Sequence, residues 1–414
     1  MQNQSGAANL TGTTVVVLKE NVAEAKKRIQ SIDILRGTVM LIMALDHARD
    51  YFHIHAWDQN PTDLATTTPF LFFTRWITHF CAPTFVFLSG ISAFISGQKK
   101  SKSELSTFLL KRGVWLIFIE IAVVTLGWTF NPLYNVIILQ VIWAIGWSMI
   151  ILGLLVRTNT TVIVITGCIL FFGHNLLDYA NLPKNGAVNI VWNFLFTSPL
   201  TFFPYAPQRV IGDIYAILPW TSLMLLGYGF GRFYRSSFDT AKRKQILLWS
   251  GIGVTALFIV LRFINLYGDP APWSQQKDTV YTVLSFFNAT KYPASLIYFC
   301  MTLGPALIFL AFTEQVQNKF SNILKIYGRV PFFYYVIHIY FMHLICVILF
   351  FVSGFGANQI VDANVPFLFR PTHFGYDLWA VYALWLFLIV VLYWPCKWFN
   401  QYKSTHHQWW LSYV

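Results

Sequence analysis

A chain of 414 residues with 56% hydrophobic, 18% aromatic and only 11% charged side chains lies far below the roughly 25% charge of a soluble domain, which excludes a water-soluble enzyme. Its formal net charge of +12 would suit nucleic acid, but the basic residues gather in alternate connections between apolar runs, the positive-inside pattern of a membrane protein. Only Arg49, Arg75, Lys184, Arg209, Arg262, Lys277, Lys291 and Arg370 fall off the basic side, so the balance predicts no nucleic-acid partner and places both termini in the cytoplasm.

Apolar runs long enough to cross a bilayer predict an all-α polytopic membrane protein with about ten transmembrane helices. They lie near 33–53, 70–97, 108–130, 133–156, 160–180, 211–232, 245–267, 292–313, 330–353 and 377–399. Residues 1–30 read as a mobile cytoplasmic tail ending in a short surface helix over 23–30. The apolar run Val15 to Leu18 is too short for a signal-peptide core. Residues 31–400 form the transmembrane domain and 401–414 a cytoplasmic, aromatic and basic interfacial tail.

The first span carries more ionisable groups than a passive apolar helix should. Arg36 and His47, eleven positions apart, fall within about 20° of each other and about 16 Å apart along a helix axis. Asp33 and Asp50 lie near the same stripe, and a polar stripe on a spanning helix faces protein or water. The following outer loop holds His55, Trp57, Asp58 and Asp63, which suits either sugar contacts or an interfacial belt. In the second span Arg75 and His79 sit one turn apart, just before Pro83, which is expected to kink the helix. Depth counting lets His79 and His47 meet.

Glu120 is either catalytic or a structural partner for a basic group such as Arg262. The outer segment 181–212 carries an apolar patch over 190–203, too short to span, and reads as a re-entrant or interfacial helix capping the outer mouth. Pro219 and Trp220 are expected to break the sixth span. The alternating glycines Gly227, Gly229 and Gly231 lack a preceding strand and indicate close helix packing rather than dinucleotide binding. In the ninth span His338 and His343 lie about 12 and 20 Å from its cytoplasmic end, bracketing the depth of His47. The five cysteines all fall in apolar spans without a CxxC, and the ten histidines give no ligand spacing, so no metal is expected.

Four stretches carry a resemblance. They are Asp33-x-Leu35-Arg36-Gly37 with Asp46-His47-x-Arg49-Asp50, Arg75 to Pro83, Gly328 to Tyr335, and the closing Trp410-Leu411-Ser412-Tyr413. Together they resemble the bacterial branch of the heparan-α-glucosaminide N-acetyltransferase family. The Arg36–His47 spacing also looks like the arginine–histidine motif in the first helix of the acyltransferase-3 proteins, whose histidine is essential. The lysosomal members differ, with asparagine at the position of His47 and a catalytic histidine in the outer loop, which His55-Ala56-Trp57 approximates. The resemblance therefore leaves the key base between His47 and His55.

What the resemblance implies is transfer of an acetyl group from cytoplasmic acetyl-CoA to an amino sugar or glycan at the opposite face of a bacterial cytoplasmic membrane. Beside it, the residues offer His47, Asp50, His79 and His55 for the chemistry, His47 as base or acyl carrier, with Asp50 preferred over Asp46 as the group that orients it and with His79, Arg75 and His338 as orienters or stabilisers of the thioester oxyanion. They offer Arg36, Arg75, Arg329, Tyr334 and His338 for the acetyl-CoA site. Histidine suits a base acting near neutral pH, and arginine suits the phosphates of the donor. The competing class is a proton-coupled transporter or exporter using the same groups at midplane, but no paired broken helices appear in two halves of the chain. Homo-oligomerisation stays open.

Overall fold

The computed structural model describes residues 29–180, 186–406 and 408–412. The surface helix expected over 23–30 lies outside them, apart from its last two positions. The described chain is mostly helical. In order come α1 Gln30–Phe52, α2 Pro69–Thr78, α3 Cys81–Gly97, α4 Lys102–Ile119, α5 Thr125–Thr129, β1 Val136–Leu139, α6 Val141–Leu155, α7 Thr160–Gly173 and α8 Ala187–Trp192. They are followed by β2 Thr201–Ala206, β3 Arg209–Asp213, α9 Ile217–Phe230, α10 Thr240–Ile264, α11 Thr279–Phe287, α12 Leu296–Thr313, α13 Lys319–Arg329, α14 Pro331–Val352 and α15 Leu378–Thr405.

Six helices are long and apolar enough to cross a membrane: Pro69–Gly97, Thr160–Tyr179, Thr240–Ile264, Leu296–Thr313, Pro331–Val352 and Leu378–Thr405. The other four sequence-read spans contain helix but are shorter or more polar. The segment near 133–156 opens with strand β1 and turns helical only at Val141, and the one near 211–232 becomes helical at Ile217. Pro219 lies in the first turn of α9 and does not break it, because the missing N–H there has no intrahelical acceptor in any case. The last helix runs to Thr405, past the boundary expected at 400.

The chain is not purely α. β1, β3 and β2 form a three-stranded sheet, β1 parallel and β2 antiparallel to β3. The apolar patch over 190–203 is thus a short helix, a π turn and the start of an edge strand rather than one interfacial helix. Pro199 and Pro204 explain this: proline cannot donate inside a helix, but an edge strand tolerates it.

Helix α1 is the hub, packed against α2, α3, α12, α13, α14 and α15, with most of its residues buried, Asp33, Asp46, His47 and Arg49 included. Two glycine crossings set its neighbours. A Cβ on Gly37 would lie 1.9 Å from the Leu324 carbonyl oxygen, and one on Gly328 would lie 1.9 Å from the Asp33 oxygen. The backbones of α1 and α13 touch there, as small residues allow in membrane helices. Gly90 and Gly227 make the same kind of contact between α3 and α9, which accounts for the glycines around Phe230.

The second span bends through a break between α2 and α3 just before Pro83. Pro83 has no N–H to give the His79 carbonyl, and that oxygen accepts instead from the Tyr298 hydroxyl at 2.9 Å. Between α4 and α5 a π turn spans Glu120–Val124. Its loosened carbonyls accept from Tyr134 and Tyr340 hydroxyls, at Ala122 (2.6 Å) and Val123 (2.8 Å).

Candidate functional site

A cavity of about 30 Å³ lies beside His47, bounded by α1, the α2–α3 break, the start of α6, Tyr215, Lys291 and Tyr335. It has room for a water-sized group or two but not for a sugar ring. His47 and His338 meet here: His47 Nδ1 and His338 Nε2 are 2.7 Å apart, with the rings stacked at 5.0 Å. The other nitrogen of His338, Nδ1, lies 2.9 Å from the Tyr334 carbonyl oxygen.

That carbonyl only accepts, so the network assigns the protons. His338 Nδ1 carries a hydrogen and donates to Tyr334, which leaves His338 Nε2 as an acceptor. His47 Nδ1 must then donate to it, and the remaining lone pair of His47 is on Nε2. A neutral imidazole with its second nitrogen held by a partner is a pre-set general base. Two rings fix the relay. Tyr334 stacks on His338 at 5.1 Å with 4° between planes, and Trp128 meets His47 edge-on at 4.7 Å.

The sequence assigns the orientation of His47 to Asp50, and the structure corrects that. Asp50 accepts from Arg49 Nη2 at 2.6 Å, which also lies 3.2 Å from Asp46, while Arg75 reaches across from α2 to bond the other oxygen of Asp46. Asp50 and Arg49 are adjacent on the helix, and the long arginine folds back onto both carboxylates. The result is a balanced chain Arg75–Asp46–Arg49–Asp50 pinning α2 to α1. Breaking a buried pair leaves a charge without its counterpart, so Asp46→Asn is expected to cost about 3 kcal/mol, read as a lower midpoint of thermal unfolding in detergent.

His79 does not meet His47. Its ring packs edge-on against Tyr298 at 5.4 Å, and its buried Nδ1 has no hydrogen-bond partner among the described residues. His55 sits on the exposed loop between α1 and α2, 3.0 Å from Asp58. Burial, the largest single influence, raises the Asp58 carboxyl, but the hydrogen bond and charge of His55, with a backbone hydrogen bond and the charge of His373, together outweigh it and hold Asp58 below the ordinary carboxylate value. His343 lies further along α14, bonded to the Leu368 carbonyl at 2.8 Å and stacked on Phe130 at 3.7 Å.

Arg36 and Arg329 are at the opposite end of α1 from Asp50. Both face Asp33 at 3.5 Å, and Arg36 also donates to the Gly328 carbonyl at 3.2 Å and to Ser92 Oγ at 3.0 Å. Two guanidiniums thus gather on the Asp33 carboxylate at this end of α1. A second cavity, about 250 Å³, is lined by Lys100, Lys102, Thr158 and Asn159 and holds none of the residues singled out from sequence.

Glu120 does not pair with Arg262. It accepts from the Gln140 backbone N–H at 2.8 Å beneath the cavity, whereas Arg262 donates to carbonyls at the end of α11 and beyond, among them Phe286 (2.7 Å) and Ser285 (2.9 Å). Sequence reasoning did not select Lys291, Tyr335 or Trp128. For Lys291 a signal was present, since it is among the few cations off the basic side. No group of metal-ligating side chains is found among the described residues.

A family model described as heparan-alpha-glucosaminide N-acetyltransferase, catalytic, matches residues 28–264. The match holds Arg36, His47, Asp50, His55, Arg75 and His79, and stops short of Arg329, Tyr334 and His338. No curated protein matches the chain. With the match spanning more than half of the sequence, the chain belongs to the heparan-α-glucosaminide N-acetyltransferase family, membrane-embedded transferases of the acetyl group.

Proposed function

We propose that the protein moves an acetyl group from cytoplasmic acetyl-CoA to an amino sugar or glycan at the far side of a bacterial cytoplasmic membrane, with His47 Nε2 as the base. The observation that carries this reading is the His47–His338–Tyr334 relay on the wall of a cavity deep in the helical bundle. The reading includes ten membrane crossings, both termini cytoplasmic, the small sheet at the outer mouth, and kinship with the bacterial branch and the acyltransferase-3 proteins.

His47 takes the proton from the acceptor amine or hydroxyl as its lone pair attacks the thioester carbonyl. The C–N or C–O bond forms, the C–S bond breaks, and the proton passes from His47 to the CoA thiolate. Asp46 and Arg75 fix the cavity wall, and Asp50 acts through Arg49. Arg36, about 16 Å along α1 from His47, and Arg329 of α13, which meets the same Asp33, suit the phosphates of the donor. That separation fits a ligand whose charged end and reactive thioester are far apart. His79 and His55 belong on this reading to the acceptor side, His79 through its unpaired nitrogen and His55 from the outer loop.

Binding of acetyl-CoA to the purified protein in nanodiscs is the test. Saturable binding that Arg36→Ala weakens by roughly tenfold, one charge-assisted contact being worth about 1.5–3 kcal/mol, supports the reading. No binding to a folded sample at millimolar acetyl-CoA would sink it.

A further inference from the structure

Lys291 lines the same cavity as His47 and Asp46, reaching it from an element other than α1. It lies on the connection between α11 and α12, flanked by the rings of Tyr292 and Tyr215 at 5.0 and 5.9 Å. No carboxylate lies within ion-pair distance of it among the described residues. The Tyr292 hydroxyl also shares a hydrogen bond with it, and a cation held by tyrosines rather than by a carboxylate keeps its charge available.

The connection is fixed from outside. Asp269 accepts from the Thr290 N–H (2.9 Å), the Thr290 hydroxyl (2.6 Å) and the Ser295 hydroxyl (2.8 Å). His174 and Asn175 bond the backbone at Ala294 and Leu296, at 3.0 and 2.8 Å. Five bonds over the seven residues 290–296 make this a rigid support, and a rigid support behind a cation is what a preorganised site requires.

The second group is Tyr335, 4% exposed, on the cavity wall with its ring 6.3 Å from that of His47. Its hydroxyl makes no well-formed hydrogen bond among the described residues, the Trp128 indole N–H being its near polar neighbour. A buried hydroxyl left unpaired is costly unless something else comes to it.

We infer that Lys291 Nζ and the Tyr335 hydroxyl form the oxyanion site of the acyl transfer, a cation and a donor facing the thioester carbonyl oxygen while His47 faces the attacking acceptor. This rests on the acyl-transfer reading above. As the acceptor's lone pair bonds the carbonyl carbon, the C=O π pair moves onto oxygen and is stabilised by both groups. When the C–S bond breaks, the pair returns to re-form C=O and thiolate leaves. Lys291 keeps its proton throughout. Asp269 is a positioning residue for it.

The experiment follows free thiol released from acetyl-CoA, with and without glucosamine, by the full-length protein in nanodiscs, alongside acetyl-CoA binding. Lys291→Met is expected to lower kcat by roughly 10²–10³-fold with the acetyl-CoA Kd within about threefold of wild type. Lys291→Arg should retain most of kcat and Tyr335→Phe should lose about tenfold in kcat. If Lys291→Met does not elute as a monodisperse protein, Lys291→Gln and the one-atom change Tyr335→Phe decide. Near-normal kcat in folded Lys291→Met or Lys291→Gln, or a loss confined to acetyl-CoA binding, overturns the oxyanion site and leaves acyl transfer standing. A wild-type protein that releases no thiol overturns both.

Discussion

His47→Ala is expected to lower acetyl transfer by roughly 10³-fold while leaving acetyl-CoA binding intact, because the substitution removes the base but touches neither Arg36 nor Arg329. The partner variants separate base from scaffold. His338→Gln supplies an amide oxygen that can still accept from His47 Nδ1, so it should retain activity within about tenfold of wild type. His338→Leu cannot accept, frees the His47 ring to change tautomer, and should lose about 10–100-fold, the usual cost of removing an outer-shell partner. His55→Ala is the decisive comparison. Its ring stands on the exposed loop beside Asp58, and a loss in His55→Ala of the size expected for His47→Ala, with His47→Ala itself active, would move the base to that loop.

This relay was half legible in the sequence. The Arg36–His47 spacing and the periodicity of a straight helix sufficed to put a polar stripe on α1, and depth counting placed His338 at the level of His47. Depth counting also let His79 reach that level, and it is excluded by something no count contains: the break before Pro83 turns His79 toward Tyr298. Asp50 failed as the orienter of His47 for a similar reason. Helical spacing gives the direction of a Cβ, whereas the end of an arginine lies several bonds further on, and Arg49 folds back to claim both acids. The sheet was hidden because β1 is a four-residue strand inside an apolar run, and its partner β3 lies some seventy residues on, so no local period marks the pair.

The Gly37–Gly328 crossing carries the largest structural prediction. The sequence offers Asp33-x-Leu35-Arg36-Gly37 and Gly328-Arg329 as separate stretches, but the structure brings them to one point where α1 and α13 touch backbone to backbone. Because the helices meet so closely, Arg36 reaches the Gly328 carbonyl and Arg329 reaches Asp33. The glycines therefore assemble the Asp33 cluster as well as the crossing. Gly328→Val would place a branched side chain where even a Cβ sits 1.9 Å from the Asp33 carbonyl oxygen. Backbone on both sides cannot rotate out of the way as a flexible side chain would, so the helices must separate and the Asp33 cluster with them. The cost should exceed about 4 kcal/mol, the range reserved for a few severe mechanisms, and appear as loss of monodisperse protein in detergent. Gly328→Ala should be milder but still destabilising, since helix propensity returns only about 1 kcal/mol. Gly253 on α10 is the control: nothing lies within 4 Å of a Cβ there, so Gly253→Ala should be neutral or stabilising by up to about 1 kcal/mol. A thermal midpoint lowered equally by Gly253→Ala and Gly328→Ala would mean that the crossing is not what holds α13 against α1. A Gly328→Ala protein that is stable yet binds acetyl-CoA normally would detach the crossing from the Asp33 cluster it is argued to build.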